Sequence, residues 1–420
     1  MRAGKRSMDG PHVLVVGGGF AGLSALDVLA SSSARVTLVD RNVYSTFQPL
    51  LYQVATAGLT SSDVAYPLWS VTRKTRAEFR KGELAAVDLA ARTARLADGH
   101  EYQWDYLILA TGVCANFYGV VGAAENSMSL YTRRDAIALR NRLLHEFERR
   151  ASGDADAELD ITMVGGGPTG VELAGTLAEL RNIALPAAFP EIDRNKVRIR
   201  LIEMAPSLLT PYKPKERDYA RQQLVNRGVD VHLGATIKEI GPDKVVLADG
   251  TSHRSDLTVW TAGIQAPDEG WNSSLPRAHA GRIDVAGDLR VAGQERVFAI
   301  GDVSSGGQEP VPQLAQPAIQ QGKHAGEQIK RLIAGQPTQP FSYHDKGIMA
   351  TIGRRSAVVE LPSGIRLRGT LAWLAWLGLH MFYLLGNRNR VVTLVNLSWR
   401  YLSWSRGGGV IVGDDVSGDD

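Results

Sequence analysis

Val13-Leu14-Val15-Val16-Gly17-Gly18-Gly19-Phe20-Ala21-Gly22 decides the fold. A short apolar run ends in closely spaced glycines, and a helical pattern follows from Gly22 to Ser31. Strand, tight turn and helix in that order build a cradle for a pyrophosphate. Gly17 makes the turn, Gly19 lets backbone approach the phosphates, and Gly22 packs helix on strand. Phe20 and Ala21 lead into a helix whose free N–H groups and positive dipole end face the anion. Arg35 to Val39 reads as the next strand and ends at Asp40, about 20 residues past the glycines. A carboxylate there meets ribose hydroxyls in this fold.

The pattern recurs. Gly165-Gly166-Gly167-Pro168-Thr169-Gly170 follows the strand-like run Asp160 to Val164. A helix is expected from Gly170 to Arg181, and a strand from Val197 to Ile202 that ends at Glu203. The insertion Asn182 to Lys196, with two prolines, lengthens the gap between glycines and acid. Glu203 can accept from both hydroxyls of an unphosphorylated ribose and would repel a 2′-phosphate, which favours NAD over NADP. Lys213 and Arg217 follow closely and temper that preference. One cradle alone is a weak signal. Two, each with an acidic strand end, imply two dinucleotides in one protein, the layout in which a flavin takes hydride from a nicotinamide.

A chain of 420 residues is too long for one core, so two or three domains are expected. The net charge of +3 gives no argument for nucleic acid. Cys114 is the single cysteine, which excludes an internal disulfide and an all-cysteine metal site. The histidines lack ligand spacing, so no metal is expected. Arg2, Lys5 and Arg6 before an apolar run resemble a secretory signal. Cleavage there would remove the cradle, so the chain is expected to be cytoplasmic with a short disordered leader over residues 1–9.

The fold class expected is α/β, with two Rossmann-like domains, the first split around the second, and a helical tail. The first domain spans 10–120 and resumes over 266–340. The second spans 155–265, and a C-terminal region follows over 341–420. Phe47 to Ser62 reads as loop-like, and residues 77–104 as short antiparallel strands with a turn at Asp98-Gly99. Residues 132–150 read as a charged helix and Ala151 to Asp156 as a polar linker. Tyr106 to Ala110 is a buried strand running into Thr111-Gly112, and Leu257 to Trp260 one running into Thr261-Ala262-Gly263. Val297 to Ile300 is a last parallel strand, running into Gly301-Asp302.

These residues together resemble the two-dinucleotide-binding flavoproteins of the pyridine nucleotide–disulfide reductase type. Four further stretches resemble type II NADH:quinone oxidoreductases. They are Phe47-Gln48-Pro49-Leu50-Leu51-Tyr52-Gln53-Val54-Ala55, Gly167 to Gly175, Ala315-Gln316-Pro317-Ala318-Ile319-Gln320-Gln321-Gly322, and the Trp-rich tail with Gly386-Asn387-Arg388-Asn389-Arg390. Where the family often has a histidine pair, this chain has Tyr44-Ser45; where it often has an aromatic, the tail has Asn387.

The resemblance implies non-covalent FAD at Gly17, Gly19, Phe20, Ala21, Gly22, Asp40, Thr111, Gly112 and Asp302. It extends the flavin set to Arg41, Gln48, Gly301, Ala315, Gln316 and Lys346. It implies NADH at Gly165, Gly167, Pro168, Thr169, Gly170, Glu172, Glu203 and Gly263. It places a membrane quinone, ubiquinone or menaquinone, near Gln316 and Gln320, and gives Glu172 a part in coupling or proton supply. Each has a plainer reading. Gln316 and Gln320, four apart on a helix, also fit a solvated face. Glu172 also fits an acid favoured by a helix N-terminus. Lys346 faces the flavin pyrimidine or is an ordinary loop lysine.

Hydride transfer needs alignment rather than side-chain nucleophiles. Disulfide reduction and sulfide oxidation need paired cysteines, which Cys114 alone cannot supply. Leu371 to Leu385 is apolar but too short to span a bilayer. With no spanning segment expected, no route for pumping protons is expected. Val391 to Trp404, with Trp399, Tyr401 and Trp404 near Arg400 and Arg406, reads as interfacial. Residues 370–406 are therefore expected to lie on the bilayer's cytoplasmic face; a homodimer interface or a core helix is the alternative use. A soluble reductase feeding a ferredoxin-like protein, and a redox-gated binding module, are the rival functions.

Overall fold

The computed structural model describes residues 10–153, 157–268, 270–271, 274–307 and 311–403. The expected leader and the end of the expected linker lie outside them. So do Trp404 and Arg406, and the side chains of Trp399, Arg400 and Tyr401.

The chain divides into two compact units. The first comprises the described residues up to 46, then 66–114 and 264–345. Its parallel sheet has the order Val297–Ala299, Tyr106–Leu109, His12–Val16, Arg35–Asp40, Glu78–Lys81. His12–Val16 and Tyr106–Leu109 are buried at every position. A parallel strand covered on both faces needs such a continuous run. Val297–Ala299 joins Tyr106–Leu109 in parallel, so the chain returns to this sheet late, as the sequence implies. The antiparallel strands Leu84–Asp88, Thr93–Leu96 and Glu101–Gln103 form a separate small sheet. The helices Phe20–Leu29 and Ala315–Ile333 pack closely. Two glycines permit it: a Cβ on Gly322 would overlap the Ala21 carbonyl, and one on Gly326 would lie 2.9 Å from the Val28 side chain.

The second unit comprises 47–65, 115–263 and 346 onward. Its parallel sheet runs Met128–Ser129, Leu257–Trp260, Leu159–Val164, Val197–Glu203, Val229–Leu233. The helix Arg133–Ser152 starts at a capping box. Asp135 N–H donates to the Thr132 hydroxyl at 3.1 Å, and Thr132 N–H to the Asp135 carboxylate at 2.8 Å. The helix Pro168–Glu179 is buried from Gly170 to its end and continues into a π turn, Leu180–Ala184.

Two expectations are corrected. Phe47 to Ser62 is not a plain loop: it holds a 3-10 turn, Gln48–Leu50, and a helix, Leu51–Ala55, with every helical residue buried. That helix packs on Arg133–Ser152 and Pro168–Glu179, which ties residues 47–65 to the second unit. The first domain therefore does not run unbroken over 10–120: it breaks after 46, resumes at 66 and leaves at 114. The C-terminal region is no separate unit from 346 on, because the strand Ile348–Thr351 packs against Pro168–Glu179.

The tail forms the helices Gly369–Tyr383 and Asn387–Ser403. The first leaves Leu371 69% and Phe382 68% exposed, while Ala372 and Trp376 are buried. The second is tied down by Asn389, whose Nδ2 donates to the Ala65 carbonyl at 2.8 Å, and by Asn396, whose Nδ2 meets Asp63 Oδ2 at 3.2 Å. No helix among the described residues is long and apolar enough to cross a membrane.

Candidate functional site

The first cradle sits at the carboxyl end of His12–Val16. Gly17 takes φ +106°, open to glycine, and its N–H donates to the Val39 carbonyl at 2.8 Å. Gly18 N–H donates to Asp40 Oδ2 at 2.6 Å, and Asn42 N–H to Asp40 Oδ1 at 2.7 Å. The strand-end acid thus braces the turn. Burial pushes the Asp40 carboxyl above its ordinary range, and those N–H groups offset part of the rise. A Cβ on Gly22 would overlap the Gly17 carbonyl, whereas one on Gly19 would meet nothing within 4 Å. Phe20 and Ala21 begin the helix with no side chain capping its first N–H groups. The cradle therefore leaves both the space and the donors that a pyrophosphate uses.

Other residues of the expected flavin set gather nearby. Gly301, at φ +72°, would place a Cβ 3.0 Å from the Ala21 Cβ, so Gly301-Asp302 lies at the cradle's helix. Gln313 Nε2 donates to the Asp302 carbonyl at 3.0 Å. Gly112 takes φ +72°, and the buried Thr111 hydroxyl lacks a partner among the described residues. Arg41 is exposed. Ala315 starts the long helix, and Gln316 Oε1 is buried without a partner among the described residues. Gln320 is engaged: its Nε2 donates to the His344 carbonyl at 2.9 Å, and its Oε1 accepts from His344 N–H at 3.0 Å. Sequence reasoning missed Gln321. It is 1% exposed, its Oε1 accepts from Gly301 N–H at 2.6 Å, and its Nε2 is left over. Helical spacing could have found it, because Gln321 shares a face with Pro317 and Ala318. Cys114 is a packing residue whose thiol lies 3.7 Å from the Gln265 carbonyl.

The second cradle repeats the first. Gly165 takes φ +108°, and its N–H donates to the Ile202 carbonyl at 2.9 Å. Glu203 Oε2 accepts from Gly166 N–H, and its Oε1 from Ala205 N–H at 2.6 Å. A Cβ on Gly170 would overlap the Gly165 carbonyl; one on Gly167 would meet nothing within 4 Å. Pro168 takes the first helical position, where its missing N–H costs nothing, and Thr169 follows. A Cβ on Gly263 would meet the outer end of the exposed Tyr118 side chain. Gln48 and Lys346 belong to this second unit, Gln48 with a buried unpartnered Oε1 and Lys346 exposed.

Glu172 sits in the first turn of the second cradle's helix, buried in apolar surroundings. Burial pushes its carboxyl up to about 8. Thr351 N–H donates to Glu172 Oε1 at 3.3 Å and offsets part of the rise. The Trp376 indole N–H approaches the carboxyl outside hydrogen-bond geometry. Trp376 stacks on His380 at 4.1 Å, and burial pushes that imidazole down to about 4. Tyr212 lies close enough that the Glu172 charge, after burial, raises its phenol.

Two glycine cradles with strand-end acids define a two-dinucleotide-binding oxidoreductase. Residues 11–322 match the family described as pyridine nucleotide-disulphide oxidoreductase. A type II NADH:quinone oxidoreductase of Mycobacterium tuberculosis is 37% identical over 94% of this chain and 89% of its own length. A Staphylococcus aureus protein of that name is 29% identical over 84% of this chain and 90% of its own length. The chain therefore belongs to the type II NADH:quinone oxidoreductases. Its fold matches NDH2 of Plasmodium falciparum, solved with NADH, with a TM-score of 0.86 at 18% identity, over 93% of this chain and 98% of that one. It also matches a sulfide:quinone oxidoreductase of Aquifex aeolicus, with a TM-score of 0.74 at 21% identity, over 90% of this chain and 92% of that one.

Proposed function

We propose that the chain is an FAD-dependent NADH:quinone oxidoreductase that works at a membrane surface. The observation that carries this reading is the duplicated cradle, each turn braced by its own strand-end carboxylate. Gly17 to Gly22, Asp40, Thr111, Gly301 and Asp302 would hold FAD; Gly165 to Gly170, Glu203 and Gly263 would hold NADH. Bound FAD would accept a hydride from NADH and pass two electrons to a quinone. Asp40 and Glu203 orient the two nucleotides through their riboses, and the open faces of Gly19 and Gly167 admit the pyrophosphates.

Quinone reduction takes up protons, and Glu172 supports their supply. With its carboxyl raised to about 8, it holds a proton at neutral pH. Gln316 has an unused Oε1, which fits contact with a ring or a hydroquinone. Gln320 has its amide spent on His344, so its part is to fix the chain around 344. The exposed Leu371, Leu374 and Phe382 support contact with lipid, as do Val391, Leu394 and Val395 on the next helix. Arg390 lies over the Phe382 ring at 5.9 Å, the pairing of aromatic and cation that suits headgroups. We place that surface on the cytoplasmic face; the same apolar residues would otherwise serve a homodimer.

Stopped-flow absorbance near the flavin band tests the whole cycle. Fast bleaching by NADH and fast recovery on adding a short-chain quinone is expected. Bleaching without recovery would remove quinone as the acceptor.

A further inference from the structure

A cavity of about 590 Å³ opens at the amino end of the second unit's parallel sheet. Its walls come from five segments: the π turn, the residues leading into Val197–Glu203, that strand's first half, the end of the helix Pro214–Asn226 with the turn after it, and the start of the strand Val229–Leu233. Five arginines line it: Arg181, Arg194, Arg198, Arg200 and Arg227. One carboxylate, Asp230, shares the lining.

The charges do not cancel. Asp230 is taken by Arg200 at 3.4 Å and His232 at 2.8 Å. Arg198 pairs with Glu158 and, at 3.0 Å, with Asp160. Arg227 bonds to Gln223 and to the Arg354 carbonyl. Arg181 and Arg194 have no carboxylate partner among the described residues. Arg181 spends its N–H groups on Asn182 and on the carbonyls of Val197, Arg227 and Gly228. Arg194 reaches only the Asn182 carbonyl, at 3.5 Å. Arg181 is also disfavoured as a cation, by burial first and then by Arg194. An anion between them would relieve that repulsion.

Guanidinium forks match phosphoryl oxygens two at a time. Arg181 has its N–H groups spent, so the donors left for a ligand come from arginines on separate segments such as Arg194 and Arg198, which suits two linked phosphates. π turns recur at functional sites, and here one sets Arg181 and Asn182 on the wall. The cavity is also remote from the glycine turn. Arg198 and Glu203 lie five positions apart on one strand, about 16 Å at the usual strand rise.

We infer that this cavity binds a soluble ligand carrying a diphosphate, the class that includes nucleoside diphosphates, at a site separate from the glycine cradle. Both sites could be filled at once.

Calorimetric titration of the full chain with inorganic pyrophosphate, then ADP, tests this with saturating NAD⁺ present. Pyrophosphate is expected to bind in the presence of NAD⁺. Arg194→Glu, at an exposed position, is expected to weaken it about tenfold or more, the scale of one lost charge-assisted contact. Bleaching by NADH and the melting temperature should stay unchanged in that variant. Arg198→Ala gives a second, independent loss. Binding that NAD⁺ abolishes would place pyrophosphate in the cradle and overturn the site. So would an affinity unchanged from the parent in both variants, or the same heat from sulfate at matched ionic strength. The Arg194→Glu comparison holds whatever fills the cradle, so its failure is separable from failure of the NADH assignment.

Discussion

The two cradles coincide through seven residues and part at the eighth. Gly17 and Gly165 turn at φ +106° and +108°, and the next N–H in each goes to a strand-end acid. The third glycine faces open space in both, and Gly22 and Gly170 seal helix to turn alike. Two residues on, the first helix has Ser24 and the second has Glu172. Ser24 lies against the long helix Ala315–Ile333, where a Cβ on Gly322 would come within 2.9 Å of the Ser24 Cβ. Glu172 instead faces Thr351 in a buried pocket with a raised carboxyl. A repeated turn fixes the class of ligand. What packs on the helix after it decides whether that helix also carries a titratable group.

The largest expected effect breaks one cradle at a time. Gly22→Val and Gly170→Val each drive a side chain into a turn carbonyl. Gly22→Val should purify with little flavin. Gly170→Val should keep its flavin yet bleach about 100-fold more slowly with NADH, the cost of misplacing a reactant. Loss of flavin in both would merge the two sites into one.

Glu172→Gln comes next. A carboxyl raised from 4.5 in the unfolded chain to about 8 in the folded one keeps its proton only when folded over that window. Stability should therefore fall as pH rises from about 4.5 to about 8 and level off above, by a few kcal/mol. Gln carries no such proton, so the variant should match the parent near pH ~5 and melt higher near pH ~8.5. Parallel melting curves across that range would show that Glu172 is ionised in the fold. The smallest contrast lies in the glutamines. Gln316→Ala should slow flavin reoxidation by quinone and spare reduction by NADH. Gln320→Ala should cost about 1–2 kcal/mol of stability, for two lost hydrogen bonds. Equal kinetic defects in both would return Gln320 to the acceptor site.

Both cradles were legible because a glycine turn and a strand-end acid are local chemistry. Asp40 and Glu203 sit where spacing put them, although the second gap is longer. The tail helices were legible from their apolar runs. What escaped depends on distant packing. Leu51–Ala55 lies in a stretch that reads as loop-like, and it is buried against Arg133–Ser152 and Pro168–Glu179 as a helix. The division of the chain at 46 and 114 follows from those contacts, not from composition. Gln320 and Gln321 are neighbours of one type. Only the fold separates one clasping His344 from one bonded to Gly301. The π turn after Glu179 left no mark in the residues that form it.

The central claim is that each cradle holds its own dinucleotide. The direct measurement compares Asp40→Ala with Glu203→Ala, by flavin content and by steady-state kinetics with NADH and NADPH. The account predicts flavin loss in Asp40→Ala. In Glu203→Ala it predicts full flavin, a raised KM for NADH and a narrower gap to NADPH. Full flavin in Asp40→Ala, or unchanged nucleotide kinetics in Glu203→Ala, would contradict it.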